Sequence, residues 1–328
     1  MSECELLLSG FADEAANDKT IEQQFVAFSA LGLRYLSLRF IDVGNGIKNV
    51  IDLDDAELDV VLKNLELYDL QVSSIGSPLG KTKLLDVDDG SSNTFFPFDE
   101  YLETTAKVCR IANRLGSKLI RGFSFYHPRN ESPEDYVAEA ASRLKSICEL
   151  CDSHGLTFGL EVEANLIGQN AELLMALHEQ VASEAMVLIF DGANLVTQGF
   201  SETEVIQQFE TMSEALGWIH IKDHVPLSEN RDQNYVDEEA LCGFVAAGAG
   251  ASGYLPILEK FKGSYAKTAE RMKARGVPGI FADLEPHLKG GGQFGGFSGP
   301  DGFGIAARAF RNLCVQAGVG CPVRQKLG

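Results

Sequence analysis

Residues 217–224 read Gly-Trp-Ile-His-Ile-Lys-Asp-His, an apolar alternating run that ends in polar side chains able to bind a metal. In a β-strand, side chains two residues apart share a face, so Trp218, His220 and Lys222 are predicted to point to the same side. The same arrangement, an apolar strand that ends in a metal-ligating side chain, recurs elsewhere in the chain.

Eight strand-like runs alternate with eight helix-like runs along the 328 residues. The strands are predicted at residues 5–9, 35–40, 71–75, 118–123, 156–162, 186–190, 217–221 and 278–285. The helices are predicted at residues 20–31, 54–67, 98–115, 133–154, 170–180, 202–216, 255–275 and 304–317. This alternation indicates parallel βαβ units, and eight units predict a single (β/α)8 TIM barrel domain over residues 1–328. A doubly wound open sheet is the alternative.

Composition restricts the class of partner and the compartment. Lys+Arg 28 against Asp+Glu 47 gives a net charge of −19, which repels nucleic-acid phosphates and anionic lipid. No apolar run approaches the roughly 18 residues that span a bilayer. The N-terminal segment has no basic region before its short apolar run, so we expect a cytoplasmic protein. The seven scattered cysteines are expected to be reduced thiols.

Four metal-ligating side chains fall at the ends of four consecutive predicted strands, the fifth to the eighth: Glu161, Asp191, His220 and Glu285. Neighbouring strand ends meet at one rim of a barrel. Three acids that meet there raise one another's pKa and destabilise the fold unless a cation lies between them. An oxygen-rich set with one imidazole suits Mn²⁺, Mg²⁺ or Co²⁺, with Zn²⁺ as an alternative. We therefore expect a divalent-metal site, with Mn²⁺ as the first choice.

The chain resembles the xylose isomerase-like TIM-barrel superfamily, which includes the sugar phosphate isomerase/epimerase family. The resemblance rests on short motifs in order along nearly the whole chain: SGFADE (9–14), LSLR (36–39), SPLGK (77–81), IRGFS (120–124), LEVEAN (160–165), FDGAN (190–194), HIKD (220–223) and LEPH (284–287). It implies that the four residues above are the metal ligands, and that Glu161 and Glu285 are the catalytic pair that moves protons. Two positions depart from the family pattern. Many members have a glutamate at the position of Ser37, and the epimerases have a histidine at the position of Asn194.

The implied function is a metal-dependent isomerase or epimerase of a sugar or sugar phosphate, which transfers a proton through a metal-stabilised enediolate. The same site design also serves a lyase that dehydrates a keto-sugar or an inosose-type polyol, and this is the main alternative. A DNA repair endonuclease of the same superfamily is disfavoured by the acidic charge of the chain. It is also disfavoured by the histidine count, since that branch uses several histidines for a three-metal cluster and this chain has only six in all. A sugar-binding protein without activity is disfavoured by the four retained ligand positions.

Further polar residues at predicted loop exits are expected to bind a small carbohydrate substrate: Arg39, Lys81, Arg121, Asn194, Lys222 and His287. The alternative is that the cations only neutralise buried acids such as Asp223 and Glu163. Asp283 is expected one layer below Glu285, as a partner of a ligand. Whether the chain forms a homo-oligomer is left open.

Overall fold

Eight parallel strands form a nearly closed barrel with helices between them. The computed structural model describes residues 4–226, 236, 241–290 and 296–324. The strands are β1 (Leu6–Gly10), β2 (Tyr35–Leu38), β3 (Gln71–Gly76), β4 (Leu119–Gly122), β5 (Thr157–Glu161), β6 (Met186–Asp191), β7 (Leu216–Ile221) and β8 (Ile280–Leu284). Their order in the sheet is β1, β8, β7, β6, β5, β4, β3, β2, and a parallel bridge between Phe11 and Ser37 brings the two edges together. The prediction of a TIM barrel is confirmed.

The strands are buried on both faces, which is why they are nearly continuous apolar runs. All six residues of β6 and all six of β7 are buried. Parallel strands have helices outside and a packed barrel inside, so polar residues are tolerated mainly at the strand ends. Polar side chains at those ends therefore collect at one mouth of the barrel.

The helices lie where helical periodicity predicts them, with small shifts at their ends. They are α1 (Ile21–Ala30), α2 (Asp55–Leu67), α3 (Phe98–Arg114), α4 (Val137–Ser153), α5 (Ala171–Val181), α6 (Gly192–Val196), α7 (Glu202–Met212), α8 (Tyr254–Ala274) and α9 (Gly299–Ala317). Helices α2 and α7 begin with capping boxes, in which Asp54 pairs with Glu57 and Ser201 with Glu204. No helix among the described residues is both long and apolar enough to cross a membrane.

Three local features differ from the sequence-based expectation. The second predicted strand ends at Leu38, and residues 40–42 pair with residues 47–49 in a hairpin outside the barrel sheet. The short helix α6 directly after β6 was not predicted. Helix α9 begins at Gly299 rather than 304, because Pro300 suits the first turn of a helix and Phe303 packs against Gly10 and Phe28.

Candidate metal and substrate site

The four predicted metal ligands meet at the carboxyl ends of β5 to β8. Glu161 and Asp191 are the last residues of β5 and β6, His220 is one residue before the end of β7, and Glu285 follows β8. One ligand atom from each lies within 4.8 Å of all the others. His220 Nδ1 lies 3.1 Å from Glu161 Oε1, 3.6 Å from Glu285 Oε2 and 3.9 Å from Asp191 Oδ2. Parallel pairing between Asp191 and His220 sets this height in the barrel.

The donor set fits a divalent cation. All four side chains are at most 3% exposed, so the three carboxylates are held together away from water. Asp191 Oδ2 is fully buried and lies 2.9 Å from Lys222 Nζ, in a contact that does not have hydrogen-bond geometry. Three hard oxygens and one imidazole nitrogen match the preferences of Mn²⁺, Mg²⁺ and Co²⁺. The cluster can therefore hold such an ion.

Three buried cations surround the carboxylates. Arg121 Nη1 donates to Glu161 Oε2 at 3.0 Å, and Arg39 Nη1 donates to Glu285 Oε1 at 2.6 Å. Lys222 Nζ lies 2.9 Å from Asp191 Oδ2 and 3.3 Å from Glu285 Oε2. The three cations equal the three carboxylates in number, so they offset the buried negative charge of the cluster.

The charges perturb the pKa of each ligand differently. Burial opposes ionisation of Glu161, but His220 and the Arg121 guanidinium lower its pKa to about 2. Burial dominates at Asp191 and raises its pKa to about 6, with Lys222 acting against the rise. Burial also opposes ionisation of Glu285, yet Lys222 and Arg39 bring its pKa well below the ordinary value. Burial opposes protonation of His220, but Glu161 raises its pKa above the ordinary value, so Asp191 is the most easily protonated of the three carboxylates and not of all four ligands.

Glu14, in the turn after β1, fixes His287 in the loop after β8. Its Oε2 accepts hydrogen bonds from the backbone N–H of His287 and from Ser298 Oγ, both at 2.9 Å, and its Oε1 contacts His287 Nδ1. Glu14, Glu285 and His287 also bring ligand atoms within 4.8 Å of one another. The Arg39 guanidinium already lies between Glu14 and Glu285, so the first cluster is the better cation site.

The ligands open onto a cavity of about 430 Å³. Its lining includes Glu161 and Glu285, and also every residue predicted to bind substrate: Arg39, Lys81, Arg121, Asn194, Lys222 and His287. This volume lies within the usual range for small-molecule sites. The geometry thus brings together all ten side chains that the sequence singled out, eight of them at the cavity wall.

The alternative role for the cations, neutralising acids such as Glu163 and Asp223, holds for Glu163 and not for Asp223. Lys81 Nζ lies 3.0 Å from Glu163 Oε2, which is the neutralising pair expected under that alternative. Asp223, in contrast, accepts backbone N–H groups from His224, Gly248, Gly250 and Ser252, so it shapes the loop after β7 rather than pairing with Lys222.

Asp283 lies inside the barrel below the ligands, but its partners are serines. Its Oδ2 accepts a hydrogen bond from Ser37 Oγ at 2.6 Å, and Ser37 also contacts Ser73 and Ser74. Burial raises the pKa of Asp283. Ser37, which departs from the superfamily pattern, therefore belongs to a buried serine cluster that donates a hydrogen bond to Asp283.

Comparison with known proteins identifies the family. A sequence profile of the xylose isomerase-like TIM barrel family matches residues 25–298. The chain belongs to this family. A search of curated proteins finds no match.

Solved structures of family members and other proteins share the fold at low sequence identity. A xylose isomerase-like TIM barrel protein from Mycobacterium smegmatis, in complex with magnesium, is 14% identical with a TM-score of 0.61, covering 97% of each chain. An L-ribulose 3-epimerase is 16% identical with a TM-score of 0.59, covering 97% of this chain and 96% of that one. The probable 3-DHS dehydratase AsbF from Bacillus anthracis is 15% identical with a TM-score of 0.61, covering 94% and 99%.

Some contributors to the site were not assigned a role from the sequence. Phe11, after β1, lies 5.3 Å from the His220 ring and stacks under the guanidinium groups of Arg39 and Arg121. The Tyr254 hydroxyl, on α8, bonds to backbone groups at the end of β7. Glu14 was detectable, because it follows a strand end as the four ligands do; the roles of Phe11 and Tyr254 follow only from their contacts in the fold.

Proposed function

We propose that this member of the xylose isomerase-like family is a divalent-metal-dependent isomerase or epimerase that acts on a sugar or sugar phosphate. The observation that carries the proposal is the convergence of Glu161, Asp191, His220 and Glu285 within 4.8 Å at the base of a polar cavity. Mn²⁺ is the metal we expect first, with Mg²⁺, Co²⁺ and Zn²⁺ as alternatives.

The roles of the two glutamates follow from their position. Glu161 and Glu285 line the cavity and so reach a bound substrate, whereas Asp191 and His220 lie behind them. A bound dication would polarise a ketose carbonyl and stabilise the negative charge that develops when the α-proton is lost. One glutamate then removes that proton as general base and the other returns one as general acid. Return to the opposite face gives epimerisation, and return to the neighbouring carbon gives isomerisation.

The cations keep this pair in its working state. Arg121 holds the Glu161 carboxylate at 3.0 Å, and Arg39 holds the Glu285 carboxylate at 2.6 Å, so each is fixed in direction. The glutamate that acts as general base is ionised, and the glutamate that acts as general acid must first take up the proton that it returns. The Asn194 amide also donates to Glu161 Oε1 at 3.3 Å. A base that is already oriented loses less entropy when it meets the substrate.

A lyase that dehydrates a keto-sugar or a polyol is the second candidate. The observation that favours it is a third group at the cavity wall, His287, whose Nε2 lies 3.9 Å from Glu285 Oε1. Proton exchange between two carboxylates does not need this imidazole, whereas loss of a hydroxyl needs a nearby donor for the leaving oxygen. The probable dehydratase with the same fold is consistent with this alternative.

Proton exchange in D₂O separates the two reactions. Purified protein loaded with Mn²⁺ is incubated with a panel of ketoses and their phosphates, and deuterium incorporation and loss of water are followed by NMR and mass spectrometry. Exchange at the α-carbon without dehydration supports the isomerase or epimerase, and a dehydrated product supports the lyase. Absence of both, with metal bound, would contradict the proposed function.

The matched variants are Glu161→Gln at the site and Glu259→Gln on the exposed face of α8. Elemental analysis should show at least a tenfold loss of metal affinity for Glu161→Gln, because a neutral amide replaces a buried anionic ligand. Exchange should fall by at least a hundredfold, as for loss of a general base. Glu259→Gln should retain both properties.

A further inference from the structure

A second cavity of about 590 Å³ adjoins the candidate active site. Tyr126 and Asn165 line both cavities, and the consecutive residues Ser91 and Ser92 line one cavity each. The Asn165 amide forms hydrogen bonds of 2.9 and 3.0 Å with the backbone of Val236, which fixes the shared wall. The two cavities therefore adjoin at Tyr126 and Asn165.

The second cavity begins close to a residue that contacts a predicted metal ligand. Asn194 of α6 donates to Glu161 Oε1 at 3.3 Å, and its backbone carbonyl accepts a hydrogen bond of 2.8 Å from Gln198 Nε2. Gln198 lines the second cavity, whereas Asn194 lines the first. A ligand that contacts Glu161 can consequently extend past α6 into the second cavity.

Neutral polar groups dominate the lining of the second cavity. Side-chain amides are contributed by Asn93, Asn130, Gln169 and Gln198, and an aromatic ring by Phe200. Within the described part of the chain, the amides of Asn93 and Gln169 make no hydrogen bond to another residue. Each amide offers donors and an acceptor to a neutral hydroxyl, and aromatic rings provide flat apolar contact.

The charges of this cavity disfavour a phosphate. Its lining holds one arginine, Arg129, against two carboxylates, Asp89 and Glu131. A phosphate carries about −1.5 to −2 charge at pH 7 and needs cations that are not already neutralised. The second cavity thus suits an uncharged, hydroxyl-rich group.

The first cavity also lacks a spare cation for a phosphate among its described lining residues. Lys81 pairs with Glu163 at 3.0 Å, and Arg121 pairs with Glu161 at 3.0 Å. Arg39 and Lys222 are both held by Glu285, and Arg39 also by Asp13 and Lys222 by Asp191. A phosphate would have to displace a carboxylate from one of these pairs, and this carboxylate is buried in every pair except that of Lys81 with Glu163.

We propose that the second cavity is a subsite for a further sugar ring, so that the substrate is an unphosphorylated disaccharide in which the reacting sugar keeps a free carbonyl and carries the second ring on one of its other hydroxyls. The inference rests on the proposed function, because it places the reacting ring at the metal ligands. The reacting ring occupies the first cavity, and the glycosidic partner passes Tyr126 and Asn165 to contact the amides of the second.

The probes are ketoses that differ only in what they carry. D-fructose has a single ring, D-fructose 6-phosphate adds the phosphate, and turanose, maltulose and isomaltulose add a glucose ring at the 3-, 4- or 6-hydroxyl of fructose. Calorimetry with the Mn²⁺-loaded protein should find at least one disaccharide bound tenfold or more tightly than both D-fructose and D-fructose 6-phosphate.

Two variants locate the second ring. Asn93→Ala and Gln169→Ala should each weaken the preferred disaccharide by about two- to tenfold, the range expected for loss of one neutral hydrogen bond, and leave D-fructose within twofold. Gln169→Ala retains the backbone carbonyl that accepts from Gln198. Gln207→Ala, on the exposed face of α7, is the matched control and should change neither affinity.

The inference is wrong if no disaccharide is bound more tightly than D-fructose, if the phosphate is bound most tightly, or if the variants weaken D-fructose equally. Any of these results with Mn²⁺ bound and α-proton exchange intact refutes the subsite alone. Failure to bind Mn²⁺ refutes the proposed function, and the subsite inference with it.

Discussion

Replacing Lys222 with Met would remove the buried ammonium that lies 2.9 Å from Asp191 Oδ2 and 3.3 Å from Glu285 Oε2. Met retains most of the volume and the apolar stem, so the change mainly removes a charge. Removing one partner of a buried ion pair costs about 3–5 kcal/mol, because the other charge is left uncompensated. We therefore expect a large loss of stability in the metal-free protein.

The size of the loss depends on which carboxylate is left alone. Glu285 keeps the Arg39 guanidinium at 2.6 Å, so the loss falls mainly on Asp191. Burial already raises the pKa of Asp191 to about 6. At pH 7 its protonation costs at most about 1.4 kcal/mol, so the variant can neutralise the unpaired carboxylate by binding a proton. We therefore expect a loss of stability at the lower end of the range, about 3 kcal/mol. For a chain of this length, that corresponds to a fall in Tm of about 4 °C.

Bound metal should reverse most of this loss, since a dication among the four ligands supplies the positive charge that Lys222 no longer provides. Thermal unfolding followed by circular dichroism at pH 7, with EDTA or with excess Mn²⁺, measures both states. The control is Lys260→Met, which breaks an exposed pair with Glu210 and should cost less than about 1 kcal/mol in either condition. An equal loss of Tm with and without Mn²⁺, or no loss in EDTA, would refute the electrostatic account of the site.

Three further outcomes follow from the structure. Because burial raises the pKa of Asp191 to about 6, its carboxyl is protonated at pH 5 and must lose that proton to bind a cation. Mn²⁺ affinity measured by calorimetry should therefore rise at least fivefold from pH 5 to 6, and a flat profile would contradict this. Gly80→Ala should lower the free energy of unfolding by at least about 3 kcal/mol in urea titrations, since φ is +91° and a Cβ would lie 1.9 Å from the carbonyl oxygen of Phe123. Gly90→Ala, at φ +72° with open space around it, should lower the free energy of unfolding by only about 1 kcal/mol. Equal losses for the two variants would contradict the predicted clash between the Cβ at position 80 and the Phe123 carbonyl. Tyr254→Phe removes a hydroxyl that bonds to the backbone at the end of β7, so we expect the free energy of unfolding to fall by about 1–3 kcal/mol and Mn²⁺ binding to weaken. An unchanged metal affinity would show that this contact of α8 does not position the metal ligands.

The sequence alone was sufficient for the barrel and for the candidate ligand set. Each of Glu161, Asp191, His220 and Glu285 follows or ends an apolar run, and that is a local property of the chain. Eight alternating units leave few topologies, and parallel strands bring their carboxyl ends to one mouth. The set of residues that meets at the barrel mouth was therefore predictable from residue type and position along each strand.

Local patterns were weaker where tertiary packing decides the conformation. The last helix was predicted to begin at residue 304, yet α9 begins at Gly299 because Phe303 packs against Gly10 of β1. The second strand was predicted through residue 40, yet it ends at Leu38, which lets Arg39 turn toward Glu285. Residues 291–295 of the glycine-rich stretch lie outside the described part of the chain.

Only the tertiary structure decided which charges pair and what the cavity can accept. Arg39 meets Glu285 across 246 positions of sequence, and Glu14 meets His287 across 273. Such pairings depend on side-chain direction and on distances of a few ångströms between distant segments, and no local pattern contains that information. The sequence specified which groups reach the barrel mouth, because strand periodicity is local. The fold specified which cations pair with acids and where the two cavities lie, because those depend on three-dimensional contacts.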